Sequence, residues 1–122
     1  QTLNDITIPT LIMVGTADDT TPPERDAFYI YEQLESAPKS LITFDNGGHY
    51  LFVDECWELA INLGFFESCS DPVWDMTRVH DITNHVTTAF LLAEFANDAD
   101  ARVALAPDQI DFIGVTYETN SP

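Results

Sequence analysis

Two short apolar runs, each ending in a polar turn and separated by one amphipathic helical pattern, leave this chain few folds to choose from. Residues 6–14 hold Ile8, Leu11, Ile12, Met13 and Val14, a nearly continuous apolar run of the kind a parallel sheet buries on both faces. Pro9 stands near its start, where a missing N–H is tolerated. Gly15 ends the run, and the polar residues 16–21 put Asp18 and Asp19 on the loop at the strand's carboxyl end. Thr21-Pro22-Pro23-Glu24 predicts a helix start, with Thr21 as N-cap, Pro22 in the first helical position and Glu24 completing a capping box. Ala27, Ile30, Tyr31 and Leu34 follow at i, i+3, i+4 and i+7 and form one apolar face. Pro38 stops the helix, and residues 39–44, Lys-Ser-Leu-Ile-Thr-Phe, predict a second strand. The fold class is therefore α/β, built on a parallel βαβ unit followed by helices. The turns after both strands then open at one sheet edge, where open α/β sheets place their sites.

The remainder predicts helices. Residues 50–63 form one that can bury Leu51, Phe52, Cys56, Leu59, Ala60 and Leu63, with Gly64 as its C-cap. Asp71-Pro72 opens a longer helix to about residue 96, with Val79, Ile82, Val86, Phe90 and Ala93 at spacings of three and four, and Asn97-Asp98 punctuates its end. Residues 99–106 form one more short helix, and residues 110–117 an extended tail rather than a core strand. No internal repeat, low-complexity tract or linker interrupts the chain, so residues 1–122 form a single unit.

Charge narrows the partners. Twenty-one acids against four Lys and Arg give a net charge of −17, a field that repels phosphate backbones and anionic lipid surfaces, so no nucleic-acid partner is expected. No apolar run approaches the roughly 20 residues of a membrane helix, and no membrane role is expected. So acidic a surface suits high salt, where screening shortens self-repulsion, and a halophilic source follows as an expectation. Gln1 is not an initiator methionine, which points to processing, truncation or a fusion boundary.

Cys56 and Cys69 lie thirteen positions apart without a second Cys or His at zinc spacing, so no metal site is expected there. A disulfide is preferred over two buried thiols, and it would fit a secreted or periplasmic location. His80 and His85 stand five helical residues apart and point in different directions, which favours packing and an Asp81–His85 pair over metal ligation. Trp57 and Trp74 are expected in the core, with lining an acyl pocket as the alternative, and Tyr50 and Phe52, next to His49 in the chain, are expected to be buried, with bordering that pocket as the alternative.

Chemistry concentrates in the two turns. A carboxylate just past one strand and a histidine just past the next form the acid–base half of a hydrolytic triad, because the acid orients the imidazole and stabilises its cation. Asp18 and Asp19 are the candidate acids on the first turn, and His49 is the candidate base on the second. The glycines before His49 allow close approach of its backbone to neighbouring segments. None of Ser36, Ser40, Ser68, Ser70 and Ser121 has the glycine-flanked elbow that exposes a nucleophile, and neither cysteine has a reason to be a thiolate.

The stretch Pro9-Thr10-Leu11-Ile12-Met13-Val14-Gly15-Thr16-Ala17-Asp18-Asp19, followed some thirty residues later by Gly47-Gly48-His49-Tyr50, resembles the last two strands of an α/β-hydrolase. Cys69-Ser70-Asp71-Pro72-Val73-Trp74-Asp75-Met76, continuing to Asn84-His85-Val86-Thr87-Thr88-Ala89-Phe90-Leu91-Leu92, resembles the terminal helices of dienelactone-hydrolase-like and platelet-activating-factor-acetylhydrolase-like members. The resemblance implies that residues 1–122 are a partial domain, the C-terminal portion of an α/β-hydrolase fold. It implies Asp18 as triad acid, His49 as general base, carboxylic esters or lactones as substrates, and no cofactor. The serine elbow and oxyanion loop of the family would lie upstream. Two parallel strands with helices on one side do not make a covered sheet, so the first strand is expected to keep an open edge and to pair with a second copy or a complementary N-terminal half.

Overall fold

A three-stranded mixed sheet lies at the centre of the computed structural model, which describes residues 2–35 and 37–120. Strands β1 (Thr10–Gly15), β2 (Lys39–Phe44) and β3 (Val115–Thr119) lie side by side in that order. The expected parallel pair is present, in register from Thr10 against Lys39 to Gly15 against Phe44. Its first strand is shorter than the apolar run, because the ladder starts only after Pro9, where the Thr10 amide donates to the Pro38 carbonyl.

The third strand corrects the expectation of an extended tail over residues 110–117. β3 pairs antiparallel with β2, Ser40 opposite Thr119 and Phe44 opposite Val115. Gly114 makes the entry possible, since its φ of +81° is a conformation that side chains resist, and its carbonyl accepts from the Asp45 amide. Val115 and Tyr117 then pack inward while Thr116 and Glu118 face out. With a neighbour on either side, β2 is buried from Ser40 to Phe44.

Helices cover both faces of the sheet rather than one. Helix α1 (Ala27–Gln33) lies over the face of Lys39 and Leu41: Lys39 Nζ donates to the Tyr31 carbonyl and sits 4.5 Å above the Tyr31 ring. The opposite face carries Ile42 and Phe44, which join Leu51, Trp74, Ile110 and the α3 residues Val79, Ile82 and Val86 in the main core. Helix α3 (Met76–Phe95) buries Met76, Val79, Ile82, Val86, Ala89 and Ala93, the expected spacing of three and four. Asn97 at φ +54° ends this segment, and Asp98 starts α4 (Ala99–Ala104) by accepting from the Ala101 amide at 2.9 Å.

Two helix starts are displaced from the sequence reading, each because the capping residue is used elsewhere. Residues 22–26 form turns and α1 begins only at Ala27, since the Thr21 hydroxyl turns back to Asp18 instead of forward to the helix. Helix α3 begins at Met76, capped by the Asp75 carboxylate on the Arg78 amide, while Asp71 serves the turn before it. The helix expected over residues 50–63 shrinks to α2 (Glu58–Asn62). Leu51 is drawn beneath Gly47 into the core, and the Val53 carbonyl accepts from the His80 ring at 3.0 Å rather than from an amide one turn on. Tyr50, Phe52, Leu59 and Leu63, expected to be buried, consequently stay exposed. Trp57, expected in the core, is 68% exposed, whereas Trp74 is buried as expected. Cys56 and Cys69 are joined by a disulfide.

Candidate active site

The turns after β1 and β2 are stitched together along their backbones. The Thr16 amide donates to the Phe44 carbonyl and the Ala17 amide to the Gly47 carbonyl, each at 2.9 Å, and the Asn46 amide reaches the Thr16 hydroxyl at 2.8 Å. Such contact needs glycine at the crossing point: a methyl group on Gly15 would strike the Gly47 carbonyl, and one on Gly47 would meet Leu51 at 2.9 Å. The two strand ends therefore hold Asp18 and His49 in one fixed relation.

Asp18 is buried, and its carboxylate accepts from four directions. Oδ1 takes the Thr20 amide at 2.9 Å and the Thr21 amide at 2.8 Å; Oδ2 takes the Thr21 hydroxyl at 2.7 Å. His49 Nδ1 lies 2.9 Å from Oδ2 and 3.1 Å from Oδ1. Burial alone would raise the acid's pKa, but the Thr21 amide, the His49 ring, the Thr21 hydroxyl and the Thr20 amide together hold it at about 2, below the ordinary 3.8. An ionised Asp18 has no proton to give, so Nδ1 of His49 must be the donor in this pair. When the imidazole is neutral, that leaves the Nε2 lone pair free, and Nε2 has no hydrogen-bond partner among the described residues.

Access and support complete the arrangement. The His49 side chain is 37% exposed, so a proton donor can reach it from outside, and Tyr50 stands edge-on to it at a ring separation of 5.3 Å. The histidine turn is anchored from behind by Asp71, whose Oδ2 accepts the Gly48 amide at 2.7 Å while Oδ1 accepts the Val73 and Trp74 amides. The Trp74 indole N–H closes the frame by donating to the Asp45 carbonyl at 2.9 Å. Chemically, this is a base with one free nitrogen and a fixed anion behind the other, able to take a proton and tolerate the resulting charge.

Among the sequence-singled residues, Asp18 and His49 are brought together, while Asp19 is exposed and forms none of these bonds. His80 is engaged with Val53, and His85 stands edge-on to Phe112 at 6.1 Å instead of pairing with Asp81. The described residues contain no group of three or more His, Cys, Asp and Glu able to hold a metal, and no described helix is long and apolar enough to cross a membrane. No serine or cysteine among them hydrogen-bonds to His49. Ser40 bonds to Tyr117 and Thr119 on the sheet, Ser70 donates to the Phe66 carbonyl, and both cysteines are spent in the disulfide. Ser36 and Ser121 lie outside the described residues. Thr21 and Asp71 are the supporting residues that sequence reasoning missed. Their signal was local: a Thr pair two and three residues past Asp18, and the Asp-Pro step at residue 71, both patterns in which a side-chain carboxylate accepts from amides just ahead. Compared with known proteins, the chain matches no family model and no curated protein.

Proposed function

We propose that this chain is the acid–base portion of a serine hydrolase of the α/β-hydrolase fold, acting on carboxylic esters or lactones. The observation that carries the reading is the Asp18–His49 hydrogen bond between the ends of two adjacent parallel strands. In this mechanism His49 Nε2 removes the hydroxyl proton of a serine supplied from outside the described residues as its oxygen attacks the ester carbonyl. The imidazolium, steadied by Asp18, then returns that proton to the departing alkoxide. Water repeats the sequence on the acyl-enzyme, and the serine is regenerated. The test is to express the chain together with the coding region upstream of it and to assay p-nitrophenyl esters and labelling by a fluorophosphonate. We expect both activities there, with His49→Ala lowering kcat by about 10³-fold or more. Esterase activity indifferent to His49→Ala would overturn the assignment.

A second reading is favoured by the open edge of β1, which among the described residues pairs only with β2. On this reading the chain is a catalytically empty hydrolase module that works by assembling with copies of itself or with another chain. Oligomers that resist fluorophosphonate labelling would select it.

A further inference from the structure

Between the histidine turn and α3, residues 56–69 form a flap closed by the Cys56–Cys69 disulfide. Its apolar side chains face solvent: Trp57, Leu59, Ile61, Leu63, Phe65 and Phe66 are each half exposed or more, and of residues 57–66 only Ala60 is buried. Helix α2 is five residues long, too short to hold its shape in water unaided. The disulfide and Gly64, at φ +81° just past the helix, supply that shape. The covalent staple thus fixes a large apolar surface outward instead of closing a core, which is the signature of an interaction site.

Two concavities flank the flap. One, of about 430 Å³, is walled by Trp57, Ala60, Leu63 and Phe65, with Asp54 and Glu55 on its lining. The other, of about 340 Å³, is walled by Ile61, Phe66, Trp74 and Met76, with Glu55 and Asp75 beside them. Glu58 and Glu67 add exposed acids to the same segment, and no Lys or Arg occurs between Lys39 and Arg78. Arg78 sits over the Trp74 ring at 5.5 Å, yet acids outnumber cations around both concavities, and large apolar side chains amid that surplus of negative charge call for an occupant apolar in its anchors and positive around them.

We propose that this flap docks a cationic amphipathic segment of a partner protein, with large apolar side chains in the two sockets and Lys or Arg beside Asp54, Glu55, Glu58 and Glu67. A second copy of this chain would bring the same net charge of −17 against the flap, and an anionic bilayer would be repelled in the same way. Trp57 offers a face to an approaching cation and also reports the contact by its fluorescence.

The test titrates the protein with a synthetic Leu/Lys amphipathic helix and with a Ser/Lys peptide of equal charge, which measures non-specific attraction to so acidic a chain. We expect the Leu/Lys peptide to bind about tenfold or more tightly than its Ser/Lys counterpart and to shift Trp57 emission to the blue. Leu63→Ser with Phe65→Ser should abolish the preference, while His49→Ala should leave it intact; circular dichroism confirms that each variant is folded. Equal affinity for the two peptides, or a preference that survives the double substitution, would overturn the proposal. So would a blue shift produced by zwitterionic vesicles or by raised protein concentration but not by the peptide.

Discussion

Asp18 shows how a single buried acid can be held ionised by its immediate neighbours. Its carboxyl pKa is about 2 in the folded chain against an ordinary 3.8, so the unfolded state binds the proton more readily. The stability this contributes, about 2 kcal/mol, is fully present above pH 4 and is lost as pH falls from about 4 toward 2. Acid titration followed by circular dichroism should show Asp18→Asn with a flatter stability profile across that window than the parent. Thr21→Val removes the hydroxyl bond to Oδ2 and should raise the Asp18 pKa, readable by NMR of the carboxyl carbon. The meeting of the acid turn with the histidine turn was legible from spacing, because a βαβ unit brings both to one edge, whereas the choice of Asp18 over Asp19 rested on the α/β-hydrolase resemblance. Thr21 was not legible as a partner of Asp18, because Thr before Pro-Pro-Glu satisfies the pattern of a helix cap equally well. Local sequence offered the hydroxyl two acceptor geometries, and tertiary packing chose between them.

At the scale of elements, the glycines decide how closely two turns approach, and the disulfide decides where apolar surface goes. Gly15→Ala places a methyl group against the Gly47 carbonyl, and since both partners are backbone, one strand end must shift. We expect a loss of about 2–3 kcal/mol in urea unfolding, together with a weakened Asp18–His49 bond seen by NMR as a raised Asp18 carboxyl pKa. Reducing Cys56–Cys69, which are thirteen residues apart, should cost about 3 kcal/mol and expose the flap to limited proteolysis while leaving β1 and β2 protected from hydrogen exchange. α3 was readable from its apolar stripe and α1 from its periodicity, although both start later than their capping signals suggested and α1 buries none of its own residues, with Ile30 of the expected face exposed. Residues 50–63 were misread because Leu51, Phe52, Leu59 and Leu63 match a helical stripe yet only Leu51 reaches the core. β3 was missed for the opposite reason: Val115 and Tyr117 are its only large apolar residues, and its strand character comes from pairing with β2.

For the molecule as a whole, the described sheet has two edge strands, β1 and β3, and β1 is the more apolar of them. The amides of Thr10 and Thr16 point toward β2, so by strand alternation those of Leu11 and Met13 face the unpaired side of β1. Leu11, Ile12 and Met13 are only half-buried, although their continuous apolar run belongs to a strand covered on both faces and both edges. An edge of this kind is a template for another strand. Opposing it is the net charge of −17, which keeps copies apart at low ionic strength. Salt decides between the two effects, because at about 1 M the screening length falls to roughly 3 Å and repulsion between copies no longer reaches across the contact. Sedimentation velocity should therefore show association growing with salt, accompanied by a rise in Tm as internal repulsion is screened. Met13→Pro removes an outward amide without touching a bond to β2, so it should abolish the salt-driven association while the chain stays folded. Association that survives Met13→Pro would place the contact elsewhere, and a monomer at every salt concentration would remove self-pairing at β1 and leave a different chain as the strand's neighbour.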